Sequence, residues 1–277
     1  IEDISRVASV HEGRVGVGGM DTVDGKRRTE LKHSHLGHTA TSIGDDEDNR
    51  DDDEDEDKDP ALAALEEEAK NLSTDDYTKA VRKRLGLNVK GSDVDAPVTD
   101  FEELRARYRV SGYLCKNLSI PKPEGFGFDG PTPIQSQAFP CLLARRDVLA
   151  CAPTGSGKTV AFALPMLHHL IAPKKLGIRG LVLTPTGELG QQLKRQFLKL
   201  ARGRSFKIFM LSKGNATANT FTNSKKRDVL IATPLRLITL IRAKCIDLSA
   251  VEHLTLDEAD RLFEDGFIEQ VDEIMAA

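Results

Sequence analysis

Cysteine is scarce in this chain, and its spacing excludes two roles. Cys115, Cys141, Cys151 and Cys245 are the four cysteines among 277 residues, and no two of them form a Cys-x-x-Cys pair. That argues against a zinc site or a disulfide framework and fits a reducing compartment. Long apolar runs are lacking too. None approaches the roughly 18 residues of a membrane span, and no signal-peptide pattern is visible, so no membrane partner is expected. The chain also lacks an initiating methionine. It starts at Ile1 and stops inside the amphipathic stretch Phe267–Ile274, which reads as a piece truncated at both ends.

What is present is charge, unevenly spread. The formal net charge is −4. Residues 45–59 carry 12 acids against Arg50 and Lys58, a local net of −10, and residues 1–44 balance six acids with six bases. Residues 60–277 are therefore left with a net of +6. A basic body behind an acidic leader suits a polyanionic partner.

Residues 1–60 are rich in Gly, Asp, Ser, Thr and His and show no period, so they are expected to be disordered. The acidic run reads as an interaction tail or a solvated spacer. His33, His35 and His38 are weak metal candidates without cysteines beside them. A short helix is expected over Ala61–Leu72, and Arg82-Lys83-Arg84 after it has the composition of a nuclear import signal. The pattern changes near Pro97. The expected organisation is a disordered, acidic, low-complexity leader over 1–96 and a folded domain over 97–277.

From Asp147 onward strands and helices alternate. Strands are expected over Asp147–Ala152, Arg179–Thr184, Phe206–Leu211, Asp228–Thr233 and Val251–Leu256. Helices are expected over Gly157–Leu170, Glu188–Ala201 and Leu235–Lys244. The second carries Leu189, Leu193, Phe197 and Leu200 on one stripe. Short apolar runs separated by helices imply an α/β fold, a parallel sheet covered on both faces. Ligands of such sheets bind beyond the carboxyl ends of the strands.

Two motifs fall at that edge. Ala152-Pro153-Thr154-Gly155-Ser156-Gly157-Lys158-Thr159 follows the first strand. Its glycines let backbone N–H groups cradle phosphate at the start of the next helix. Lys158 reaches the β- and γ-phosphates, and Thr159 supplies a magnesium ligand. Asp257-Glu258-Ala259-Asp260 follows the fifth strand. There Asp257 is placed to hold magnesium and Glu258 to polarise the attacking water. An acidic helix start favoured by the helix dipole is the bland alternative for that pair. The expected ligands are a nucleoside triphosphate and Mg2+.

These motifs resemble those of the DEAD-box ATP-dependent RNA helicases, over roughly residues 98–277, most of that family's first RecA-like lobe. Phe128-Asp129-Gly130-Pro131-Thr132-Pro133-Ile134-Gln135 is similar to the family's Q motif. The resemblance implies that Thr132 and Gln135 belong to the nucleotide site, with Gln135 bonding the adenine edge. An amide offers a donor and an acceptor together, which matches adenine and not guanine. Phe101 is the candidate for the family's upstream base-packing aromatic, with an ordinary core anchor as its alternative. Pro185-Thr186-Gly187-Glu188-Leu189-Gly190 resembles the RNA-contacting Pro-Thr-Arg-Glu-Leu-Ala motif, with Gly187 in place of the arginine and Gly190 in place of the alanine. Losing that cation is expected to weaken RNA binding by roughly 1 kcal/mol or more. The two glycines lower helix propensity by about 1 kcal/mol each. Ser212-Lys213-Gly214-Asn215 matches the family's Gly-Gly turn poorly. Thr233-Pro234-Leu235-Arg236 resembles the Thr-Pro-x-Arg motif that grips the RNA backbone, although Thr233 also reads as a plain helix N-cap. Asp260 is expected to couple the site to a Ser-Ala-Thr motif that this chain lacks.

Leu149-Ala150-Cys151-Ala152 and Leu262-Phe263-Glu264-Asp265-Gly266 look like the Rok-type branch of the family. That resemblance implies action on pre-ribosomal RNA in small-subunit maturation, a nuclear and nucleolar location, and ribosome-assembly proteins as partners. RNA contact is expected through the backbone, without sequence readout. The second RecA-like lobe is absent from this chain, so weak nucleotide binding and no unwinding are expected of it alone. Two other readings stay open. One is a non-catalytic binding module in ribosome assembly, and the other is a phosphate-loop NTPase unrelated to RNA.

Overall fold

The computed structural model describes residues 5–10, 73–212, 214, 226–264 and 266–277. The acidic run, the leader histidines, the helix expected over Ala61–Leu72, and Lys213 and Asn215 lie outside the described residues. Ser5–Val10 and the described residues from Ser73 onward belong to one compact unit.

Six strands form its sheet: β1 (Ser5–Val10), β2 (Val148–Cys151), β3 (Gly180–Leu183), β4 (Ile208–Met210), β5 (Val229–Ala232) and β6 (His253–Leu256). Their order is β2-β1-β6-β3-β5-β4. Each pairing is parallel. β3 and β5 are buried at each position. Alternation explains this: Val182, Val229 and Ile231 enter one core, while Leu181, Leu183, Leu230 and Ala232 enter the other. A strand with two buried faces reads as an unbroken apolar run.

The first core is closed by α2 (Phe101–Tyr108), α3 (Gly112–Ser119), α4 (Pro133–Leu143), α5 (Lys158–Leu170) and α6 (Gly187–Leu200). The second is closed by α7 (Pro234–Arg242), α8 (Ala259–Leu262) and α9 (Ile268–Met275). Helices thus cover both faces, as expected. The five strands and three helices anticipated from the apolar pattern are present, most of them trimmed by a residue or two at their ends. On α6 the stripe holds for Leu193, Phe197 and Leu200, which are buried, whereas Leu189 is only half-buried.

The structureless leader expected over 1–96 differs from the structure at two places. Ser5–Val10 pairs with β2 and β6 at once. Thr74–Arg84 forms α1, capped by Ser73, whose Oγ accepts from Asp76 N at 3.3 Å. Asp75 and Asp76 in its first turn and three bases in its last suit the helix dipole. The basic cluster read as an import signal is therefore the end of a helix, and Arg82 is occupied. It donates to Gln137 Oε1 at 2.8 Å and to the Val94 and Asp95 carbonyls at 3.1 and 3.0 Å. The folded unit begins before Pro97.

Two polar clusters lie inside the fold. Arg179 and Asp228, each 1 % exposed, pair at 3.0 Å. Arg179 also donates to the Leu170 and Ala172 carbonyls, and Asp228 accepts from the backbone N–H groups of Lys174 and Lys207. The rings of His169 and His253 stack with centroids 5.1 Å apart and 7° between planes. Burial pushes His169 down to about 4 and His253 down to about 3.

Candidate nucleotide site and nucleic-acid edge

β2 ends at Cys151 and α5 starts at Lys158. The six residues between them turn on Gly155 and Gly157, which have φ of +80° and +89°. That region suits glycine. At 157 the requirement is also steric, because a Cβ there would lie 2.4 Å from Gln135 Nε2. Ser156 N donates to Pro153 O at 3.3 Å, and Lys158 Nζ donates to Ala152 O at 2.5 Å. Ser156 Oγ is buried with no hydrogen-bond partner among the described residues.

The second motif follows β6, two strands away from β2 in the sheet. Asp257 follows β6, is 8 % exposed, and donates its backbone N–H to Leu183 O at 2.9 Å. Glu258 adopts φ 52°, ψ 52° at the start of α8. A non-glycine residue held in this left-handed region stores strain, a feature common at functional sites. The Glu258 carboxylate lies 3.7 Å from Arg261 Nη1. Asp260 Oδ1 is buried without a hydrogen-bond partner among the described residues.

The two motifs meet. Thr154, Gly155, Gly157, Lys158, Thr159, Asp257 and Glu258 line one cleft of about 650 Å³. An ammonium, a threonine hydroxyl and two carboxylates around glycine-rich backbone fit a magnesium nucleotide. The unpartnered Ser156 Oγ is a further polar atom at that loop.

Two expected nucleotide contacts are placed differently. Gln135 is fully buried and does not line the cleft. Its Oε1 accepts from Thr132 N at 3.1 Å in a capping box, and its Nε2 donates to Gly157 O at 3.1 Å. Thr132 Oγ1 donates to Ser156 O at 2.7 Å. In this structure the pair braces the phosphate loop, leaving one amide N–H and one lone pair for any base. Phe101 is a core residue at the start of α2, packed with Leu104, Leu114 and Leu118, and does not line the cleft. The aromatics that do are Phe126 and Phe128, with ring centroids 5.4 Å apart. Leu189, Gln192 and Gln196 of α6 also line it, along with Lys122, Arg195 and Lys199. The signal for these α6 residues was the non-core side of an amphipathic helix that starts just after Pro185 and Thr186.

The RNA candidates gather at one edge. β3 and β5 are neighbours, Leu183 pairs with Ala232, and Thr184 N donates to Ala232 O at 3.0 Å. Pro185-Thr186 and Thr233-Pro234 therefore leave adjacent strand ends, next to Asp257. Thr186 caps α6, accepting from Leu189 N at 3.3 Å. Thr233 precedes α7 but makes no side-chain cap bond. Its hydroxyl is not spent on the bland role weighed for it. Arg236 is half-buried in the first turn of α7.

The two substituted glycines differ. A Cβ on Gly187 would meet nothing within 4 Å. A Cβ on Gly190 would lie 2.4 Å from Met210 Cε and 2.5 Å from its Sδ. Gly190 is thus matched to a methionine on β4 that fills the space an alanine would need.

Comparison with known proteins agrees with this geometry. Residues 132–277 match the DEAD/DEAH box helicase family. The chain is 41 % identical over 224 residues to the ATP-dependent RNA helicase ROK1 of Meyerozyma guilliermondii, covering 76 % of this chain and 41 % of that protein. It is 45 % identical over 197 residues to DEAD-box ATP-dependent RNA helicase 57 of Oryza sativa subsp. japonica, covering 71 % and 35 %. The chain thus spans less than half the length of these relatives. Among solved structures, the RNA helicase Prp28 from Chaetomium thermophilum bound to ADP superposes with a TM-score of 0.65 at 30 % identity, over 75 % of this chain and 50 % of that one. With more than half of its residues matched, the chain belongs to the DEAD/DEAH box helicase family.

Proposed function

We propose that this chain is the nucleotide-binding part of an ATP-dependent RNA helicase. The observation that carries this reading is the single cleft lined by both the phosphate loop and the Asp257-Glu258 pair. Backbone N–H groups of residues 154–158 cradle the phosphates, and the Lys158 ammonium leaves Ala152 O for the β- and γ-phosphate oxygens. Thr159 and Asp257 would hold a magnesium ion, which would neutralise phosphate charge. Glu258 orients the attacking water and takes its proton. Asp260 links the site to the rest of the enzyme through its unpartnered oxygen.

Pro185, Thr186, Thr233, Pro234 and Arg236 hold an RNA strand by its backbone, without reading bases. The strand order makes this coupling direct, because Asp257 and the two RNA segments leave neighbouring strands. The family's second RecA-like lobe completes the site in the full protein. The Rok-type resemblance of Leu149–Ala152 and Leu262–Gly266, alongside 41 % identity to a ROK1 RNA helicase, extends the reading to pre-ribosomal RNA as substrate, a nucleolar location, and ribosome-assembly proteins as partners.

Nucleotide titration and hydrolysis assays test the reading. Lys158→Ala is expected to weaken magnesium-ADP binding at least tenfold, about 1.4 kcal/mol. Glu258→Gln is expected to keep ADP affinity and to lower the hydrolysis rate of the full-length enzyme by about 10²–10⁴. Hydrolysis at the parent rate in Glu258→Gln contradicts the assigned role.

A further inference from the structure

Residues 189–227 contain ten lysines and arginines and not one acid. α6 runs through the first part of this stretch, and its 14 residues extend about 21 Å from the RNA edge to the far end of the sheet. The family's RNA motifs account only for its first turn. Arg195, Lys199, Arg202, Arg204 and Lys207 lie beyond that turn, exposed apart from the half-buried Lys199.

None of these five makes an ion pair with a carboxylate among the described residues. Lys199 and Arg204 are instead held by groups that leave their charge uncancelled. Lys199 lies 5.3 Å from the centroid of Phe126 and donates to Gly125 O at 3.0 Å. Arg204 stacks over Tyr113 at 5.0 Å. The turn that carries Arg202 and Arg204 is fixed from α3, where Asn117 Nδ2 donates to the Leu200 and Arg202 carbonyls at 2.8 and 2.9 Å. Glu124, exposed in the loop that Lys199 holds, leaves the seam net positive. A fixed, unneutralised row of cations that begins at the RNA edge and continues away from it matches a phosphate backbone.

We propose that this strip is a second RNA-contacting surface. It takes the phosphates of RNA flanking the strand gripped at the starts of α6 and α7. The inference rests on the RNA reading of that edge and extends it to residues outside its motifs. The Arg204 guanidinium plane held on the Tyr113 ring also suits stacking by an unpaired base.

The test is fluorescence anisotropy with the whole chain over a salt series. One probe is a short oligoribonucleotide that fills only the edge. The other is the same sequence extended by a flanking segment. Arg202→Gln with Arg204→Gln is expected to weaken the extended probe several-fold and to lower its salt slope by about 1.4, roughly 0.7 per lost phosphate contact. The short probe should bind as before. Arg195→Gln with Lys207→Gln, which spares the Tyr113 stack, should act in the same direction, and thermal melting of both variants confirms folding. Unchanged affinity and slope for the extended probe in both folded variants overturn the proposal. A parent chain that binds neither probe overturns the RNA reading and the strip with it. Arg236→Ala, weakening both probes alike, separates failure of the edge from failure of the strip.

Discussion

Gly187 and Gly190 lie three residues apart on α6 and face different surroundings. At Gly190 an alanine meets Met210, so Gly190→Ala is expected to destabilise the fold by about 1–3 kcal/mol. The measurement is the denaturation midpoint, and Met210→Ala in the same chain should recover part of the loss by vacating the space. At Gly187 nothing stands in the way. Gly187→Arg is expected to leave stability equal or slightly higher and to tighten RNA binding by roughly 1 kcal/mol, about fivefold. An arginine there that leaves affinity unchanged removes the phosphate contact inferred for that position. The phosphate loop and the Asp257-Glu258 pair were legible in the sequence because each is contiguous. Phe101 and Gln135 were not, because burial and bracing depend on where side chains point after the helices have packed.

Among the elements, β3, β5 and the end of α5 are joined by the Arg179–Asp228 pair. Desolvating two charges is costly, and here the cost is offset by four further backbone hydrogen bonds. Asp228→Ala leaves a buried guanidinium unpaired and strands the N–H groups of Lys174 and Lys207. It is expected to cost about 3–5 kcal/mol in denaturant unfolding, while a loss under 1 kcal/mol contradicts this account. The strands from β2 onward were readable because each is a short apolar run, and β3 and β5 most clearly because both of their faces are buried. α2 and α3 were not, since eight residues give barely two turns of period. β1 was hidden for another reason. Its place depends on main-chain pairing with β2 and β6, which lie far along the chain.

For the whole molecule, protons discriminate folded from unfolded chains. A histidine in the unfolded chain titrates near 6.5. In the fold, burial holds His169 at about 4 and His253 at about 3; Arg145 disfavours the charged form of both, His168 that of His169, and His169 that of His253. His168 is lowered as well, by burial and Arg145, and Arg179 acts on His253 in the same sense. Below about pH 6.5 the unfolded chain therefore binds more protons. This contribution to stability is full above that value and is lost progressively as the pH falls towards 4. The urea midpoint should drop between neutrality and pH 5, and His169→Gln with His253→Asn should flatten that dependence. An unchanged slope in the double variant assigns the acid sensitivity elsewhere.

The parallel sheet has a consequence in time. Among the described residues, no strand meets its neighbour through a hairpin. Even Ile208 reaches Val229 only across a crossover, and Val7 must find both Val148 and Thr255. Loop closure is then costly at each pairing, and rates fall as contacts become less local. Helices with local signals, such as α1 with its Ser73 cap, can form early, whereas the sheet must wait for distant segments. A chain emerging from the ribosome would hold β1 and β2, with the phosphate loop, apart from the other strands until β6, which joins β1 to β3, has been made. During that interval the apolar strands are exposed to other chains, which makes assembly of this lobe a step that chaperones can govern.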